Sequence, residues 1–128
     1  MSPAATFDAL AQVLADTQQR FGAAAFRDRR RLIGLLADHV PEAKREIRAM
    51  GTAIDEGVPR ALAKAERHLI GMEMDRQAER LEATTGLRID LARPVVRAFA
   101  FGLGLGPLPS IYVAVADPGP NPLPPAWT

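Results

Sequence analysis

Apolar side chains recur along this chain at spacings of three and four, the period of a helix that buries one face. The first series is Phe7, Leu10 and Leu14, with Thr6 before it and Asp8 in the first turn. It predicts an N-capped amphipathic helix that ends before Gly22. Asp28 then precedes "RRRLIGLLADHV", where Leu32, Leu35, Leu36, His39 and Val40 form a second one-faced stripe. Pro41 suits the first position of a third helix, with the stripe Ala43, Ile47, Met50 and Ile54 and a stop at Gly57. Gly51 lies on that face and predicts the close approach of another helix. Pro59 opens a fourth helix with Leu62, Ala65 and Leu69 inward and Gly71 near its end.

Met74, Ala78 and Leu81 mark a fifth helix, closed at Gly86, which can take the left-handed conformation a stop requires. Asp90 is placed to cap a sixth, with Val95, Phe99 and Leu103 on its inner face and Pro94 in or next to the first turn, where backbone donors lack intrahelical partners. No window before residue 105 alternates with period two. The expected fold is all-α: a compact bundle of about six short helices over residues 6–104, with antiparallel neighbours on short connections. Residues 105–128 read as a Pro/Gly-rich tail or linker, because seven of the eleven prolines lie from Pro107 onward.

The junction, "AFAFGLGLGPLPSIYVAVA" over residues 98–116, has no charged side chain and the length of a bilayer span. Its glycines and prolines would break a helix at mid-membrane and strand backbone groups in lipid, so no membrane segment is expected. "GLGLG" lacks the preceding strand and following helix of a phosphate loop and reads as a helix end unwinding. Beyond it, "SIYVAVA" (110–116) is a β-prone run. Its backbone groups would pair with a partner's sheet edge, begin a larger domain, or pack across the bundle through Ile111, Tyr112 and Val113. Trp127, near the end of the tail, is expected to be exposed.

With 128 residues and 48% hydrophobic content, one core is expected. The net charge of +1 conceals an asymmetry: from Arg20 to Arg48 basic residues outnumber acidic ones eight to four, whereas Asp117 is the only charge beyond Arg97. Absence of cysteine excludes disulfides and thiolate metal sites and points to a reducing compartment. The N-terminus lacks a basic flank before an apolar run, which argues against a secretory signal. A cytoplasmic protein is expected.

No catalytic constellation emerges. The only serines are Ser2 and Ser110, in expected tails, and there are two histidines and no defensible carboxylate pair. His39, Glu42 and Glu46 have helical spacing but are interrupted by Pro41, and His68 completes no ligand set, so neither metal nor cofactor is expected. Met50, Met72 and Met74 read as core filler. Arg27, Arg29, Arg30 and Arg31 are the candidate contact residues; they read first as a solvated face, and beyond that either as one side of a charged protein contact or as a phosphate-neutralising run that would bind nucleic acid with steep salt dependence. The last three begin a helix against the positive end of its macrodipole, a strain a partner's carboxylate or phosphate would relieve.

"RRLIGLLADHVPEAKREIRAMGTAIDEGVPRALA" with "LEATTGLRIDLARPVVRAFAFGLG" resembles a small effector-associated, death-like helical adaptor module of bacterial multidomain proteins. The matching features are the basic pair Arg30 and Arg31 before a leucine-rich helix, Pro41, Arg45-Glu46-Ile47, the Gly57-Val58-Pro59 stop, and the final helix with Ala92, Arg93, Val96, Ala100, Leu103 and Gly104. The resemblance covers residues 8–104. Phe99 stands where that pattern prefers Trp, and Pro94 where an aromatic is common.

Such modules occur fused to kinases, chaperone ATPases, β-propellers and protease or immune-type effectors. The resemblance therefore implies recruitment or assembly with no activity of its own: self-association or capture of an effector or sensor protein in a bacterial signalling or defence system. Acidic Asp55, Glu73, Glu79 and Glu82 supply the opposite sign to the arginines. Two further expectations stand beside this one, a small basic nucleic-acid-binding bundle and a regulatory cap on an effector domain lying beyond Thr128.

Overall fold

The computed structural model describes residues 3–105, which form six α-helices and two 3-10 turns, with no strand among them. Helix α1 spans Pro3–Phe21, α2 Arg29–His39, α3 Lys44–Asp55, α4 Val58–Lys64, α5 Ile70–Thr85 and α6 Ile89–Gly102. The 3-10 turns are Ala23–Arg27 and Arg67–Leu69. The all-α expectation holds for these residues. The β-prone run 110–116 and the rest of the tail from Gly106 lie outside the described residues.

Several ends follow the sequence. Gly22, Gly57 and Gly86 all take positive φ, at 81°, 79° and 77°, and they close α1, α3 and α5. Asp28 caps α2 by accepting a hydrogen bond from the Arg31 amide at 3.1 Å. Pro59 sits at the second position of α4, where a missing N–H costs nothing.

Other ends differ, each for a local reason. Thr6 does not cap α1; the helix has already begun at Pro3, whose fixed φ suits a first position, and Thr6 is buried inside it. Pro41 does not open α3. It is the second residue of a reverse turn closed by the Ala43 amide donating to the Val40 carbonyl at 3.0 Å, a position for which proline is equally preorganised. Helix α4 stops at Lys64 rather than near Gly71, because Ala65 and Glu66 turn extended, with ψ of 148° and 141°. That break shifts the register: Leu69, expected inward, is 42% exposed, and Ile70 takes the buried position. Asp90 is the second residue of α6 rather than its cap. Pro94 is therefore its sixth, past the first turn, and deprives the Asp90 carbonyl of its intrahelical donor.

The core is one cluster. Leu10, Leu14, Leu32, Leu36, Met50, Leu62, Met74, Leu81 and Phe99 are its largest fully enclosed members, and Phe26 meets Phe99 edge to face at 6.1 Å between centroids. Helix α6 is the hub, packing most extensively against α1, next against α5, and also against α3 and α4. Its apolar and small residues occupy nearly every side, from Ala92 to Gly102, so it has little outer face. A Cβ placed on Gly102 would stand 2.5 Å from that of Leu14, so this glycine sets how closely α6 lies on α1. The Asp8–Arg97 ion pair at 3.0 Å joins the same two helices. The two contacts advance together along both helices, so α1 and α6, which no short connection joins, run in the same sense. Gly51 makes the predicted close approach: α2 crosses there, with Arg29 Nη2 at 2.7 Å and Ile33 Cδ1 at 3.5 Å from a Cβ built on the glycine.

Candidate interaction surface

The four arginines that stand together in the sequence do not form one patch. Successive residues on a helix turn by about 100°, so a run of three points three ways. Arg29 reaches across Gly51 to Asp55 on α3, Nε to Oδ1 at 2.8 Å. Arg31 lies over the Phe21 ring at the end of α1, its guanidinium carbon 4.5 Å from the centroid. Arg30 lines a shallow groove on the outer side of α2 with Gly34, Leu35 and Asp38. Arg27, at the end of the first 3-10 turn, lines a different groove, against α4. Two of the four are engaged within the chain, and two present their charge outward.

That second groove was not evident in the sequence. It runs between the 3-10 turn, the end of α3, α4 and the end of α6, with Phe26, Ile54, Pro59 and Leu103 among its walls and Arg27, Arg60 and Lys64 along it. None of these three cationic side chains makes an ion pair or hydrogen bond among the described residues. Arg60 and Lys64 stand one turn apart on α4, a spacing legible in the chain. Only packing adds Arg27, more than thirty residues earlier.

On the other side of α4, which Arg60 and Lys64 also line, the acids Glu56 and Glu73 are already matched by arginines of α5. Arg80 donates to the Glu56 carbonyl oxygen at 2.6 Å and pairs with its carboxylate at 3.4 Å, tying α5 to the end of α3. Arg76 pairs with Glu73, which also accepts from Gln77 at 2.7 Å. Of the four acids expected to supply the opposite sign, Asp55 and Glu73 are thus engaged, while the Glu79 and Glu82 side chains are exposed on α5 without such partners. Met72, expected in the core with Met50 and Met74, is 70% exposed on the same helix. The other exposed large apolar residues among those described are Phe21, Leu69 and Phe101.

His39 ends α2, its Nδ1 2.9 Å from the Leu35 carbonyl oxygen, and no group of three metal-ligating side chains comes together among the described residues. No helix there is long and apolar enough to cross a membrane. Ile111, Tyr112, Val113 and Trp127 lie outside the described residues. Comparison of the chain with protein-family models, curated proteins and solved structures gives no match.

Proposed function

We propose that this chain is a non-catalytic protein–protein interaction module of the cytoplasm that self-associates or recruits an effector in a bacterial signalling or defence system. The observation that carries this reading is the division of the surface charge. Arg27, Arg30, Arg60 and Lys64, and on α5 Glu79 and Glu82, are exposed or groove-lining charges that make no ion pair among the described residues, while Arg29, Arg76 and Arg80 are paired within the chain. Unspent charges of both signs govern encounter and specificity between proteins. The resemblance of residues 8–104 to effector-associated adaptor modules supplies the biological setting.

The test is size-exclusion chromatography with light scattering on residues 1–128 and on the chain cut at Gly106, over a range of protein and salt concentrations. Oligomers in both place the assembly surface on the bundle, and oligomers lost on truncation place it in the tail. Arg30→Glu leaves the fold intact and is expected to weaken a charged homotypic contact; assembly unchanged by that reversal removes Arg30 from the interface.

A second reading, nucleic-acid binding, draws on the same unpartnered cations. It predicts that binding to arbitrary duplex DNA or RNA falls steeply with ionic strength. Absence of binding at low salt dismisses it.

A further inference from the structure

Arg27, Arg60 and Lys64 line one groove beside Phe26, Ile54, Pro59 and Leu103 and make no ion pair among the described residues. The only acid in that groove, Asp55, is held by Arg29. Their complement lies elsewhere on the same chain: the outer face of α5 carries Met72, Glu79 and Glu82 at positions i, i+7 and i+10. Glu79 and Glu82 are one turn apart, about 4.5 Å along the axis, and Arg60 and Lys64 are likewise one turn apart, about 6 Å. A helix laid along the groove would therefore set two carboxylates against two ammonium or guanidinium groups, with Arg27 alongside.

Glu82 is turned away from the groove of its own molecule. The α5 side chains that face α4 are Glu73, Arg76, Gln77 and Arg80, and Glu82 lies about 120–180° round the helix from all four.

We propose that a second copy of this chain seats the outer face of its α5 in the groove beside α4, with Met72 against the apolar wall and Glu79 and Glu82 against Arg27, Arg60 and Lys64. This rests on the interaction-module reading and specifies its homotypic form. Because groove and acidic face are different surfaces, the contact is head-to-tail: each copy accepts one neighbour and offers itself to another, and the chain builds a ring or an open filament. Assembly is favoured by low salt, which leaves exposed charges unscreened.

The experiment is light scattering on the full chain, on Arg60→Glu/Lys64→Glu, on Glu79→Lys/Glu82→Lys, and on an equimolar mixture of these two variants, each first checked for wild-type helical circular dichroism. If either reversal unfolds the chain, the glutamine substitutions at the same positions replace it. The wild type assembles with rising concentration, and each double variant alone loses association by a factor of about 100 or more. The mixture of the two reversals recovers assembly with the variants alternating, because the intact groove takes the intact acidic face and the reversed groove takes the reversed face; the mixture of the glutamine variants stops at heterodimers.

A chain carrying all four reversals recovers assembly. If the wild type assembles and both double variants assemble equally well, this contact is wrong and self-association stands through another surface. A wild type that is monomeric throughout overturns the contact and the homotypic reading together, leaving only recruitment of a different protein.

Discussion

Gly102 and Gly34 are both helical glycines, and their surroundings give substitution opposite signs. A methyl group on Gly102 would meet Leu14 Cβ at 2.5 Å and its carbonyl carbon at 3.4 Å, where backbone cannot yield cheaply. Overpacking of this kind costs about 1–3 kcal/mol, more than the gain of up to about 1 kcal/mol from replacing glycine in a helix. Gly102→Ala is therefore expected to lower the urea midpoint. Gly34 is exposed in the middle of α2, with nothing within 4 Å of a built Cβ. Gly34→Ala is expected to raise stability by about 0.5–1 kcal/mol, and a loss on the same urea curve would show that the outer face of α2 is more closely packed than it stands here.

Among the elements, α2 and α6 each carry a local conflict that a single substitution exposes. Helix α2 opens with three arginines and no acid in its first turn, against the positive end of its dipole. Asp28 is thus both its hydrogen-bonding cap and its nearest compensating charge. Asp28→Ala is expected to cost about 1 kcal/mol, and Asp28→Asn, which keeps the cap acceptor, less; equal losses in thermal unfolding would mean that charge rather than capping dominates. In α6 the conflict is Pro94. A proline inside a helix costs about 3 kcal/mol through the lost hydrogen bond and the ring clash, and its half-buried ring returns only part of that in packing. Pro94→Ala should stabilise the protein by about 1 kcal/mol or more; a destabilised variant in chemical denaturation would show that the ring's contacts outweigh the missing bond.

Across the whole molecule, the Asp8–Arg97 pair links the first helix to the last. The Arg97 side chain is only 19% exposed, and its Nε already lacks a hydrogen-bond partner among the described residues. Asp8→Ala would leave a largely enclosed guanidinium without its carboxylate and is expected to cost about 1 kcal/mol. Asp90→Ala, which removes the exposed Arg88–Asp90 pair, is expected to change stability by less than about 0.5 kcal/mol. Equal effects of the two in parallel unfolding experiments would contradict the special position of the α1–α6 junction. Helix α6 lies against four of the other five helices, so loosening it is felt through most of the core.

Helix number, the buried stripes of α1, α3 and α5, and the stops at Gly22, Gly57 and Gly86 could be read from the chain, because period, glycine φ and capping act over a few residues. Pro41 and Pro94 misled, since a proline's fixed φ suits a reverse turn as well as a helix start and does not report how far upstream a helix began. Leu69 misled because two extended residues after α4 reset the helical phase, and Met72 because, two positions from buried Met74 on the same helix, it points to the opposite side. The arginine run was visible as charge but not as a surface: its members diverge by helical geometry, and Asp55 and Phe21 claim two of them. The groove that joins Arg27 to Arg60 and Lys64 exists only when the first 3-10 turn packs beside α4. The sequence by itself thus determined an all-α bundle over residues 3–105 and its apolar faces, which follow from local periodicity. Tertiary structure alone decided which charges are neutralised and which face outward, because that depends on neighbours dozens of residues away.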